Sequence, residues 1–137
     1  MQNKIWIGYI FNWLRKVFVY EKDTLWAENT LCYLIEDAYP VTEGHSLVIP
    51  KRHVADYFGL TQAEINSANQ LLADRKDLLR RRDNSVTGFN IGMNCGEDAG
   101  QTIFHCHIHL IPRREGDVVD PVGGVRSVIP DKANYKK

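Results

Sequence analysis

The run IFHCHIHLIP (103–112) carries histidines at every second position, 105, 107 and 109, inside an otherwise apolar stretch. Side chains alternate faces along a β-strand, so His105, His107 and His109 are expected on one face and Cys106, Ile108 and Leu110 on the other. One face is then apolar. The other carries imidazoles, whose near-neutral pKa suits them to act as base, acid, nucleophile or metal ligand.

Working outward, NCGEDAGQT (94–102) reads as a glycine-containing loop and TGFNIGMN (87–94) as a strand before it. In TQAEINSANQLLADRKDLLRRR (61–82) the period changes: Ile65, Ala68, Leu72 and Leu79 share one helical face, and Thr61 with Glu64 spells a capping box. The Arg80–Arg82 run suits the carbonyl end of that helix, where solvated cations favour the dipole. Further upstream, LCYLI (31–35) and HSLVIP (45–50) flank a loop with Pro40 and Gly44, the pattern of paired strands. Near the N-terminus Ile5, Tyr9, Trp13 and Val17 fall at helical spacing, so residues 1–20 are expected to form an amphipathic helix that caps a core or a subunit contact. Its apolar run, IWIGYIFNWL (5–14), is about half a membrane span and is followed by no small-residue cleavage site, so no membrane attachment is expected. Residues 114–137 hold Pro121, Gly123, Gly124 and Pro130 and are expected to be mostly loop, with a short strand at VRSVI (125–129). Helices and strands are grouped and do not alternate. The pattern predicts an α+β fold over a single domain (1–137), with a mainly antiparallel sheet, one long helix and the N-terminal helix.

Composition narrows the function classes. The 44% hydrophobic and 25% charged residues are those of a globular chain, and 17 basic residues balance 17 acidic ones, so a nucleic-acid partner is not indicated. Cys32, Cys95 and Cys106 have no CxxC spacing, which argues against a disulfide framework or a zinc knuckle and points to a reducing cytoplasm.

From the residues alone, three readings of the histidine face stand open. Two imidazoles at i and i+2 lie about 6.6 to 7 Å apart and can share a metal, but His109 is about 13 Å from His105 on a regular strand. Further ligands would then come from His45, His53, Glu97 or Glu115, none of which the spacing singles out. Alternatively an imidazole attacks phosphorus, which needs a neutral nucleophile, an orienting partner and donors for phosphate oxygens. The loop before the run supplies donors in Asn94, Gln101 and Thr102, and Gly96 and Gly100 permit close backbone approach. Thirdly, the histidines form only a polar sheet face, although three of the chain's five histidines in register are harder to explain that way. His53, in PKRHV, reads as a surface or helix-start residue.

HCHIHLI (105–111) resembles the motif His-φ-His-φ-His-φ-φ, with φ apolar, of the histidine-triad (HIT) superfamily of nucleotide hydrolases and transferases. NCGEDAGQTIFHCHIHLIPR (94–113) is similar to that family's phosphate loop and catalytic strand, and DAYPVTEGHSLVIPKRHV (37–54) to its upstream strand, so residues 31–113 are covered. The resemblance implies a HIT-like fold and a nucleotide substrate. His107 matches the nucleophile that attacks the α-phosphorus, giving a nucleotidyl-histidine that water hydrolyses. His105, His109 and the upstream His45 match positions that hold its tautomer and orientation. Asn94, Gly100, Gln101 and Thr102 match loop positions that contact phosphates and the leaving group, and Asp37 matches the ribose-binding position. Independent chemistry agrees: a carboxylate accepts from both vicinal hydroxyls, and Thr102 can donate to a phosphate oxygen as its charge grows. The lesser reading of Asp37 is an Asx-type loop residue alone.

The resemblance further implies a two-fold homodimer and no required cofactor, with Mg2+ entering only on substrate phosphates. Zinc-binding relatives carry an N-terminal cysteine pair that is missing here, so no structural zinc is expected. Pro112-Arg113 after the triad is similar to dinucleoside polyphosphate hydrolase branches, whereas phosphoramidase-type branches have Gly-Gly there. The expected substrate is therefore diadenosine tetraphosphate-like. The alternatives are a purine nucleoside phosphoramidase of the same family and a nucleotide-binding module without significant turnover. Arg126 is equally placed to reach a terminal phosphate or to pin the tail.

Overall fold

In the computed structural model, which describes residues 25–136, β1 (Leu25–Glu28), β2 (Cys32–Glu36), β3 (Ser46–Pro50), β4 (Val86–Gly92) and β5 (Ile108–Arg114) form one antiparallel sheet in the order β1-β2-β3-β5-β4. After β3 the chain runs through α1 (Gln62–Arg82), returns as the edge strand β4, and inserts β5 between β4 and β3. This insertion brings the histidine run beside the strand that follows His45: Leu47 pairs with His109 and Val48 with Ile108. The fold is the expected α+β arrangement of an antiparallel sheet and one long helix. The N-terminal helix expected over 1–20 lies outside the described residues.

Local sequence explains α1 well. Thr61 Oγ1 accepts from Glu64 N–H and the Glu64 carboxylate accepts from Thr61 N–H, so both bonds of the capping box form. The buried face is Glu64, Ala68, Leu71, Leu72, Arg75 and Leu79, with Ile65 only half-buried, so the stripe is rotated from the expected one. Arg75 is the unexpected member of this face. Its guanidinium donates to Ser46 Oγ (2.9 Å) and Glu36 Oε1 (2.8 Å) and lies 4.1 Å from the Trp26 ring, so a buried cation ties helix to sheet.

Cys32, Leu34, Val48, Val54, Cys106, Ile108 and Leu110 meet the helix in the core. Alternation sends Tyr33, Ile35, Leu47 and Ile49 to the opposite face, where they too are buried. That second face also takes Asp37, His45 and His109, which continue the same alternation along β2, β3 and β5. Among the described residues no helix is long and apolar enough to cross a membrane.

Two expectations fail locally. Residues 103–107 are not strand, because Cys106 N–H donates to Val54 O (2.7 Å) and so turns away from the β3 ladder, which begins at Ile108. Residues 124–128 form a 3-10 turn in place of a strand; Gly123 (φ +95°) turns the chain, and Arg126 donates to the carbonyls of Ala133 and Lys132. Arg126 therefore pins the tail.

Candidate active site

Four of the five histidines were expected here, and the structure gathers all five into two pairs around His107. The turn before His45 depends on Gly44: its φ of +88° is left-handed, and a Cβ there would lie 2.8 Å from Leu79 Cδ2. With the turn so made, His45 Nε2 comes 2.9 Å from His109 Nδ1.

Hydrogen-bond partners fix the ring protons. Val41 N–H donates to His45 Nδ1 (3.2 Å), so His45 carries its proton on Nε2 and donates to His109 Nδ1. His109 then carries its own proton on Nε2. The His107 Nδ1 lies 2.8 Å from the His105 carbonyl, which can only accept, so His107 is the Nδ1–H tautomer and its lone pair is on Nε2. The His107 and His109 rings meet edge to face at 5.3 Å. An oriented imidazole with a donor imidazole beside it has the makings of a nucleophile and a proton source.

On the other side His105 is buried, its Nε2–H donating to Pro50 O (2.8 Å). Its Nδ1 faces His53 Nδ1 at 3.1 Å. His53 is thus a site residue that its position after Pro50 concealed. No strand alternation marks it, because β3 ends at Pro50 and the chain bends at residues 51–52 before His53.

Burial favours the neutral form of three of these rings. Burial above all pushes His105 and His109 down to about 4, and neighbouring imidazole charge adds to it. His45 is lowered by burial too, against the opposing pull of Asp37. That carboxylate divides its oxygens: Oδ1 accepts from Tyr39 N–H (2.8 Å), the Asx turn, while Oδ2 lies 3.5 Å from His45 Nε2 and 4.0 Å from His109 Nδ1. Asp37, His45 and His109 offer ligand atoms within 4.8 Å of one another, so this trio is where a divalent ion could be held.

The loop shapes the mouth of the site. Gln101 is buried, donating to Ala55 O (2.7 Å) and Ile103 O (3.1 Å) and accepting from Gly96 N–H (2.8 Å). Its amide is spent on bracing the loop. Gly100 has φ +84°, and a Cβ there would meet nothing within 4 Å, so the glycine serves the turn and leaves open space in front of it. Asn94 and Thr102 are exposed at the same loop, where their side chains can reach a ligand. Arg113 is occupied, pairing with Asp117 (2.7 and 2.8 Å) and Asn90 (2.7 Å).

A family model described as the HIT domain matches residues 20–116. The chain belongs to the HIT family. An uncharacterized HIT-like protein of Mycoplasma genitalium is 39% identical over 88 residues, covering 64% of this chain and 60% of that protein. The AP-4-A phosphorylase of Mycobacterium tuberculosis is 33% identical over 115 residues, covering 80% of this chain and 57% of the relative. The chain thus spans somewhat over half the length of these curated relatives. A crystal structure of a HIT family protein from Bacillus anthracis superposes with TM-score 0.64 at 38% identity, covering 69% of this chain and 66% of that one.

Proposed function

We propose that this HIT chain hydrolyses nucleotides at the α-phosphate through a nucleotidyl-His107 intermediate, with a dinucleoside polyphosphate of the diadenosine tetraphosphate type as substrate. The observation that carries this reading is the 2.8 Å bond from His107 Nδ1–H to the His105 carbonyl, which leaves the lone pair on Nε2. In the first step that lone pair forms an N–P bond while the bridging P–O bond breaks toward the leaving phosphate. The His45–His109 pair, once it has taken up a proton against the Asp37 carboxylate, passes it from His109 Nε2 to the leaving oxygen and returns to its neutral form. Water then attacks phosphorus, the N–P bond breaks, the lone pair returns to His107 and the proton returns to His109. Thr102 and Asn94 serve the phosphate oxygens, Gly100 allows them to approach, and Gln101 holds the loop. No resident cofactor takes part, and Mg2+ arrives only on substrate phosphates.

The name of the mycobacterial relative favours a second acceptor. Inorganic phosphate in place of water would release ADP where hydrolysis releases AMP. As to assembly, the groove between α1 and the edge strand β4, lined by Leu72, Phe89 and Ile91, supports a homodimer. The three cysteines form no disulfide, which suits the cytoplasm.

The test is chromatography of products from diadenosine tetraphosphate, with and without phosphate, and from adenosine phosphoramidate beside it. Wild type should release AMP and ATP, and His107→Ala should lose at least about 10⁴-fold in kcat. ADP formed only with phosphate present would make the enzyme a phosphorylase. Faster turnover of the phosphoramidate would move it to that branch, and binding without product would leave a nucleotide-binding module.

A further inference from the structure

We propose that His53 is a positioning residue that acts through His105 to set the tautomer of His107, an inference that rests on His107 being the nucleophile. The His105 ring is held at both ends. A carbonyl only accepts, so the 2.8 Å contact with Pro50 O puts the His105 proton on Nε2 and its lone pair on Nδ1. The nitrogen facing that lone pair at 3.1 Å is His53 Nδ1, which must therefore be the donor. The two rings meet nearly edge on, with centroids 5.0 Å apart.

His53 is exposed, yet both of its chain neighbours are anchored. Arg52 pairs with the buried Glu64 at the start of α1 (2.7 and 3.1 Å) and donates to Gly59 O (2.9 Å). Val54 is in the core, and its carbonyl accepts from Cys106 N–H (2.7 Å). Residues 52 and 54 thus hold His53 against His105, while residues 105 and 106 are held by residues 50, 53 and 54. The product of this clamp is the aim of one atom, the His105 carbonyl oxygen, which receives His107 Nδ1–H. Loosening the His105 ring lets that oxygen drift. A larger share of His107 then carries its proton on Nε2, where it cannot attack.

Two variants and two readouts test this. His53→Leu removes the donor; His53→Asn keeps an N–H near the position of Nδ1. Imidazole ¹⁵N spectra of the unliganded proteins report the tautomers directly, and kcat and KM report the consequence. Expected are wild-type spectra for His53→Asn, and for His53→Leu a His107 signal moved toward the Nε2–H form with kcat down about tenfold and KM unchanged. An unchanged His107 signal in His53→Leu, an Asn variant as impaired as the Leu variant, or a loss confined to KM overturns the proposal. Should wild type turn nothing over, the function assigned above fails, while the spectra still decide whether His53 sets the tautomer.

Discussion

His107 sits between two imidazole pairs built alike and wired differently. On one side His45 backs His109 at 2.9 Å, with the Asp37 carboxylate 3.5 Å from His45. On the other, His53 backs His105 at 3.1 Å, with the Pro50 carbonyl at the far end. Burial lowers both inner rings to about 4 and neighbouring imidazoles add to it on each side; the opposing upward pull comes from the Pro50 carbonyl at His105 and from the Asp37 carboxylate at His109. A proton added to the first pair meets the Asp37 carboxylate, whereas the second pair is braced by the neutral Pro50 carbonyl. The difference assigns proton handling to the His109 side and geometry to the His105 side. The largest effect that can break this division is in kcat: His109→Ala should cost about 10² to 10³-fold and His105→Gln, which can still donate to Pro50 O, only about tenfold. Equal losses in the two variants would mean that both pairs carry protons.

The pH dependence of stability sharpens the same comparison. His105 takes a proton near 6.5 when unfolded and only near 4 when folded. Between those values the unfolded chain binds more protons, so stability is full above pH 6.5 and falls as pH drops to about 4. The slope is about 1.4 kcal/mol per pH unit for one ring, about 3 kcal/mol in all. Below pH 4 the further loss belongs to carboxylates such as Asp83, which Ser85 and Arg114 hold down at about 2. Urea unfolding of wild type and His105→Gln at pH 7, 5.5 and 4.5 measures it. The variant should lose one ring's share of the slope, and a stability difference that stays constant with pH would show that His105 titrates normally.

What the sequence made legible follows from how local each signal is. The capping box needs only residues 61 and 64, and both of its bonds form. Alternation correctly sent Cys106, Ile108 and Leu110 to the core, although the strand itself starts at Ile108. Arg75 was hidden because a charged helix residue normally faces water, and its burial is made tolerable by Glu36 and Ser46, 39 and 29 residues away, and by the Trp26 ring. The short β1 was missed, since LWAE shows no alternation and pairs with β2 through a bulge. For His53 the decisive contact is 52 residues distant. Asp37 was legible in both of its readings, as a turn former and as a site residue, because its two oxygens serve both at once.

Asp37→Asn gives the smallest effect and the finest cut. Asparagine keeps an oxygen for the Tyr39 N–H and so keeps the turn, but it sets an N–H where Oδ2 faced His45 and removes the counter-charge. If the carboxylate serves the His45–His109 pair, a proton on that pair becomes costlier and kcat falls about tenfold, a barrier change of about 1.4 kcal/mol. That loss should be equal on a ribonucleotide substrate and on its 2′,3′-dideoxy analogue, because it does not pass through the sugar. A ribose-binding role gives the opposite pattern: KM rises with the ribonucleotide alone and kcat stays. Measuring both substrates with one variant therefore separates the two oxygens' uses. A loss confined to ribonucleotide KM would leave the His109 pair without its counter-charge, and the asymmetry around His107 would reduce to the difference between a carbonyl and a turn.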